Sequence, residues 1–169
     1  MTTLLAGLTV ALTAPSFANP AWAESDDTSV AADVRAAPIA PQQAAMQDLL
    51  IHAISMVGVK YKYGGNSVES GFDCSGFVRH VFAESIAMEL PRSAYAMGKL
   101  GAAVQRDNLQ PGDLVFHNTL HRAFSHVGIY LGEGRFVHAP SRGKSVEIVD
   151  MSDSYWKKHY SGARRLVEP

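Results

Sequence analysis

Three residues carry the chemistry that this sequence offers: Cys74, His126 and His138. Cys74 follows Asp73, a good N-cap. It precedes Phe77, Val78, Val81, Phe82 and Ile86, an apolar stripe at helical spacing, so it falls in the first turn of a helix. There the unpaired backbone N–H groups and the positive end of the helix dipole favour an anion. The thiolate is the nucleophilic form, and a free thiol has a pKa of about 8.5, so such help matters near neutral pH. Gly76 leaves room for a carbonyl to approach, and the neighbouring N–H groups suit a developing oxyanion. A free cysteine is equally at home as a small buried hydrophobe. Alone, this segment leaves both readings open.

The histidines separate them. His126 opens the run His126-Val127-Gly128-Ile129-Tyr130-Leu131, and His138 closes Phe136-Val137-His138. Gly132-Glu133-Gly134 reads as a three-residue hairpin loop between the two runs. Pairing Leu131 with Arg135 sets Gly128 opposite His138 and makes His126 its diagonal neighbour on the same face. A one-residue change of register would put the rings on opposite faces. In the favoured register a thiol, a base and a group that orients the base can meet: Cys74, His126 and His138. A Cys-His-His set could also bind Zn²⁺, but the close spacings common to structural zinc sites are missing, so no metal and no cofactor is expected.

These side chains need a scaffold of helices first and strands later. Met46, Leu49, Leu50, Ala53, Ile54 and Val57 form one face of an opening helix, ended by Gly58. Tyr61 to Gly71 reads as a loop, and Leu90-Pro91-Arg92-Ser93 stops the Cys74 helix and caps a short one from Ala94 to Leu100. Short β-prone runs then follow: Leu114 to Phe116, His126 to Leu131, Arg135 to Ala139, Val146 to Val149 and Ala163 to Val167, with a helical turn at Ser154 to His159. The expected fold is α+β: N-terminal helices packed on one face of a mostly antiparallel sheet of five to six strands.

The chain has 169 residues, with 15 Lys+Arg against 16 Asp+Glu, so it lacks the basic excess that nucleic-acid binding needs. Leu4 to Ala14 is apolar but too short to span a bilayer, and Ala21-Trp22-Ala23 is a small-x-small cleavage pattern. Residues 1–23 therefore read as a signal peptide, with cleavage after Ala23 or Ala18, although no Lys or Arg precedes the apolar run. Glu24 to Pro41 reads as a flexible tether and residues 42–169 as the domain. Cys74 is the single cysteine, so an exported chain has no internal disulfide and no lipid anchor on a processed amino-terminal Cys.

Six blocks in order carry a family resemblance: Tyr61-Lys62-Tyr63-Gly64-Gly65, Asp73-Cys74-Ser75-Gly76-Phe77-Val78, Leu90-Pro91-Arg92-Ser93, Gly112-Asp113-Leu114-Val115, His126-Val127-Gly128-Ile129-Tyr130 and Phe136-Val137-His138-Ala139. Together they resemble the NlpC-type cell-wall cysteine peptidases. Tyr155-Trp156-Lys157-Lys158 and Ala163-Arg164-Arg165 look like the Spr/MepS branch of murein endopeptidases. The resemblance implies a stripped-down papain-like fold with Cys74 as nucleophile, His126 as base and His138 as the third polar residue. By the same alignment Tyr61, rather than Tyr63, stands near the oxyanion. Ser75, beside Cys74, and Arg92, just after its helix, are further candidate oxyanion or substrate contacts.

The implied activity is hydrolysis of peptidoglycan stem peptides by a periplasmic or wall-associated monomer, its regulatory adaptor or protease unidentified. The bond is the D-alanyl–meso-diaminopimelate cross-link; γ-D-glutamyl–diaminopimelate cleavage, LD-carboxypeptidase action, acyl transfer and a silent wall-binding module are the alternatives. The loop before Cys74 and the stretch His117 to Ser125 depart from that branch, and both should border the cleft. His117 and His121 are expected to be solvated loop residues, Lys157-Lys158 and Arg164-Arg165 a solvated face, and Trp156 core packing over the sheet end.

Overall fold

The computed structural model describes residues 40–120 and 122–167. The segments read above as signal peptide and as most of the tether lie outside them, as does His121.

Helix α1, Pro41–Ser55, has proline in its first turn, where a missing N–H is no loss. It begins on the last residue assigned to the tether. Leu49 and Ala53 are buried, with Met46, Leu50 and Met56 packed around them. Ile54 and Val57, expected on that face, are exposed. The helix ends at Ser55, so Val57 lies beyond the periodic segment that would have turned it inward. Two short strands, β1 (Asn66–Ser67) and β2 (Gly71–Phe72), then form a small antiparallel hairpin where a plain loop was expected.

Helix α2, Cys74–Ile86, is capped by Asp73, whose carboxylate accepts from the Gly76 N–H at 2.7 Å. Phe77, Val78, Val81 and Phe82 are buried along one side, where they form the centre of the core. The helix stops at Ala87, which takes a left-handed conformation with φ 52°. Leu90 to Ser93 lie after that stop. Helix α3, Ala94–Met97, is shorter than expected and is capped by Ser93, whose hydroxyl accepts from the Ala96 N–H.

Six antiparallel strands complete the fold: β3 (Ala102–Val104), β4 (Leu114–His117), β5 (His126–Gly132), β6 (Arg135–His138), β7 (Glu147–Asp150) and, after helix α4 (Ser154–His159), β8 (Tyr160–Arg165). Their order is β3-β8-β4-β5-β6-β7. Leu114, Phe116, Val127, Ile129 and Val137 join the α2 side chains in the main core. The alternate residues Val115, Tyr130 and Phe136 form a smaller cluster with Met151 and Ala163, against which Trp156 of α4 packs. The expected α+β class and antiparallel sheet are what the chain adopts.

Two arginines expected on a solvated face are fasteners instead. Arg165 holds the largely buried Asp113 through Nε at 2.9 Å and a second nitrogen at 2.8 Å, tying β8 to the turn before β4. Arg164 donates through Nε to the Gly98 carbonyl at 2.7 Å. Among the described residues no helix is long and apolar enough to cross a membrane.

Candidate active site

The hairpin between β5 and β6 decides where the histidines point. Its loop holds two residues, not three: Gly132 pairs with Arg135, and Glu133 and Gly134 turn the chain with φ of 52° and 73°. Both angles are positive, as a primed hairpin turn requires. Alone this would slip the register by one. Leu131 is bulged out of the ladder, however, so Tyr130 pairs with Phe136 and Ile129 with Val137. Continued inward, that register sets Gly128 opposite His138, as the sequence suggests.

His126 and His138 therefore share a face, and His126 Nε2 lies 2.7 Å from His138 Nδ1. Gly128 makes the approach possible. A Cβ there would stand 2.6 Å from Phe136 Cδ2, 2.8 Å from the Val137 carbonyl oxygen and 3.1 Å from His138 Cβ. The ring of Trp156 stacks on His126 at 5.7 Å between centroids and meets His138 edge-on at 4.7 Å. Trp156 thus covers the pair and lines the cleft, a role that core packing alone does not describe.

Cys74 and His126 line one cleft of about 1020 Å³, with Tyr61, Ser75 and Arg92 also in its wall. It opens beside the ends of β4 and β6 and the start of β5. His138 is fully buried behind His126. The backbone amides of Val127, Ser75 and Cys74 favour the thiolate. Burial nevertheless pushes the thiol up, and the neighbouring Asp73 carboxylate adds to the rise. Burial also lowers His126 to about 4. Thiol and imidazole are thus both neutral at pH 7, the state in which the ring can accept a proton.

Asp73 anchors the helix that begins at Cys74. Its Oδ1 accepts from the Gly76 N–H, from Ser75 Oγ at 3.3 Å and from Arg92 at 2.9 Å; its Oδ2 accepts from Arg92 at 2.6 Å and from the Gly64 N–H at 3.0 Å. Burial opposes ionisation here, but the Arg92 guanidinium and the backbone N–H groups outweigh it and hold the carboxyl below its ordinary value. Arg92 also donates to Ser75 Oγ at 2.9 Å. Both residues proposed as substrate contacts are thereby engaged in fixing the helix start, while still lining the cleft.

Tyr61 is partly buried, and its phenol is raised by burial and by the nearby Cys74 and Asp73. Tyr63 also lines the cleft but is 82% exposed. Of the two tyrosines Tyr61 is thus the more buried.

His117 departs most from expectation. It ends β4 directly opposite His126, is fully buried, and stacks on Phe136 at 4.8 Å. Neither ring nitrogen has a hydrogen-bond partner, and burial lowers it to about 3. The strand continues one residue past the expected stop at Phe116, which turns His117 inward with Val115. Among the described residues no group of three or more His, Cys, Asp or Glu side chains is placed to hold a metal ion.

The model of the NlpC/P60 family matches residues 58–165. Murein DD-endopeptidase MepS/Murein LD-carboxypeptidase of Escherichia coli K12 is 50% identical over 113 residues, covering 65% of this chain and 57% of the relative. Murein DD-endopeptidase MepH of the same organism is 40% identical over 119 residues, covering 69% and 44%. The crystal structure of an NlpC/P60 family protein from Bacillus cereus ATCC 10987 superposes with a TM-score of 0.68 at 33% identity, covering 73% of this chain and 40% of that one. The chain spans about half the length of the two Escherichia coli relatives.

Proposed function

The chain belongs to the NlpC/P60 family, and from that premise we propose that it is an exported peptidoglycan hydrolase, a cysteine peptidase acting on stem-peptide amide bonds through a Cys74 thioester. The favoured bond is the D-alanyl–meso-diaminopimelate cross-link, in line with the 50% identity to a murein DD-endopeptidase. The observation that carries the reading is the 2.7 Å contact from His126 Nε2 to His138 Nδ1 beside a cleft shared with Cys74.

Because Nε2 is committed to His138, Nδ1 is the nitrogen that serves the sulfur. As Cys74 Sγ attacks the scissile carbonyl carbon, its proton moves to His126 Nδ1. The tetrahedral oxyanion is held by backbone N–H at the start of α2 and by the Tyr61 phenol. Collapse breaks the C–N bond, and His126 gives its proton to the leaving amine. Water, deprotonated by the same ring, then hydrolyses the thioester and frees the carboxylate and the thiol. Raised thiol and lowered imidazole suit this order, in which the proton moves during attack and not before it. Ser75 and Arg92 act by holding Asp73, and so the sulfur, in place.

The test is mass spectrometry of muropeptides after digestion of purified sacculi. The wild-type protein is expected to convert cross-linked dimers to monomers, and Cys74→Ala to lose that conversion. A Cys74→Ala protein that cleaves as well as wild type would refute the assignment. Products cut between γ-D-glutamate and diaminopimelate, or shortened tetrapeptides, would move the bond but keep the chemistry.

A further inference from the structure

The proposed mechanism leaves one proton unaccounted for, and the inference that follows rests on that mechanism. For His126 Nδ1 to present a lone pair to Cys74, the neutral ring must carry its proton on Nε2. His138 Nδ1 must then accept that proton across the 2.7 Å contact. Neutral His138 has two tautomers, and only the one protonated at Nε2 leaves Nδ1 as an acceptor. The other donates from Nδ1 into His126 Nε2, forces the His126 proton onto Nδ1, and removes the base. The same 2.7 Å contact satisfies both arrangements equally, so something else must choose between them.

Nε2 of His138 is buried without a hydrogen-bond partner, and Glu147 Oε1 lies 3.8 Å from it. Glu147 stands directly opposite His138 in the β6–β7 ladder and is partly exposed, lining the cleft. The other titratable groups that face His138 are the neutral rings of His126 and His117 and the ammonium of Lys144. Lys144 shares the same Glu147 oxygen at 3.6 Å, which steadies the carboxylate. Glu147 thus sets a carboxylate beside the unpartnered nitrogen of this ring. At 3.8 Å the pair is too far apart for a hydrogen bond, so the effect is electrostatic: an anion beside Nε2 lowers the energy of the tautomer whose N–H points at it.

We infer that Glu147 is a positioning residue: its carboxylate selects the Nε2–H tautomer of His138 and so keeps His126 protonated on Nε2 and basic at Nδ1. No proton passes to Glu147. The chain Cys74–His126–His138–Glu147 orders the protons on two imidazoles, and His138 is its buried link.

The experiment compares the wild-type chain with Glu147→Gln, which keeps shape and removes charge, in two measurements. Long-range ¹H–¹⁵N spectra of histidine-labelled protein report the tautomer of each ring. Steady-state kinetics on a purified cross-linked muropeptide dimer report kcat and KM. Glu147→Gln is expected to move His138 from a single Nε2–H pattern to a mixture and to lower kcat by about tenfold, the size usual for a group that orients a ligand through another, while KM is unchanged. An unaltered His138 pattern overturns the inference, and so does an unaltered kcat. A raised KM at constant kcat also overturns it, by making Glu147 a substrate contact. If the wild-type chain fails to cleave the dimer, or Cys74→Ala still cleaves it, the proposed function fails instead. The spectra then decide the role of Glu147 without any activity.

Discussion

His126 and His138 meet through Nε2 and Nδ1 at 2.7 Å, deep enough that His138 is fully buried while His126 still reaches the cleft. The His138 ring is therefore shielded from water, while His126, itself buried, borders the cleft. His138→Ala should lower kcat by about 10²- to 10⁴-fold, the range set by the loss of a group that fixes a base's tautomer. His138→Gln, whose amide oxygen can accept the same proton, should restore part of it. A His138→Ala enzyme with wild-type kcat on cross-linked muropeptide would exclude this arrangement.

Gly128 should tolerate no side chain. The Cβ of alanine would come within 2.8 Å of the Val137 carbonyl oxygen and 2.6 Å of Phe136, and backbone on β6 cannot give way cheaply. Gly128→Ala should destabilise the fold by about 1–3 kcal/mol, as overpacking does. Kcat should fall further than folding explains, because His138 moves. Urea denaturation and kinetics on the folded fraction check the two effects separately.

Arg92→Ala should weaken the start of α2. It leaves Asp73, with a side chain only 12% exposed, without its cation. Breaking a fully buried pair costs about 3–5 kcal/mol, but Arg92 is 42% exposed, so solvent screening brings the expectation down to about 1–2 kcal/mol. The sign with pH follows from the lowered carboxyl. Its stabilisation is complete above the ordinary aspartate value and fades as pH falls through the folded one. The wild-type advantage over Arg92→Ala, measured by thermal melts, should therefore shrink in acid.

Acid should also act through the buried imidazoles. His117, His126 and His138 are lowered to about 3, 4 and 2, whereas the unfolded chain takes up protons near the ordinary value of 6.5. The unfolded state then binds more protons, so stability is greatest above that value and falls as pH drops below it. Each histidine contributes a slope of up to about 1.4 kcal/mol per pH unit between roughly pH 6 and pH 4. His117→Phe removes one titrating group and two unpartnered ring nitrogens. It should flatten the slope by about one proton and raise stability at pH 5. An unchanged slope in denaturation curves across this range would count against burial as the cause.

The placement of Cys74, His126 and His138 was legible because each sits on a strongly patterned segment. Asp73 and the α2 stripe place Cys74, and alternation along β5 and β6 places the histidines. The hairpin loop was one residue shorter than expected, yet the face was right, because the bulge at Leu131 compensates and no local preference announces it. Ala102–Val104 and the β1–β2 hairpin are too short to show a period. His117 read as loop because Asn118 and the turn that follows mark the strand end, and one further residue of pairing was enough to bury it. Arg92, Arg164 and Arg165 found partners 19, 66 and 52 residues away in sequence, a separation that local pattern cannot see.

The displaced Leu131 has a consequence for how this hairpin can vary over evolution. Two-residue turn and bulge act as paired parity errors that cancel. A single insertion or deletion at Glu133-Gly134 would uncancel them, send the His138 ring through the sheet to the α2 side, and separate it from His126 without unfolding the chain. Length changes at this tip should survive only when they arrive in even numbers, or together with the repair of the bulge.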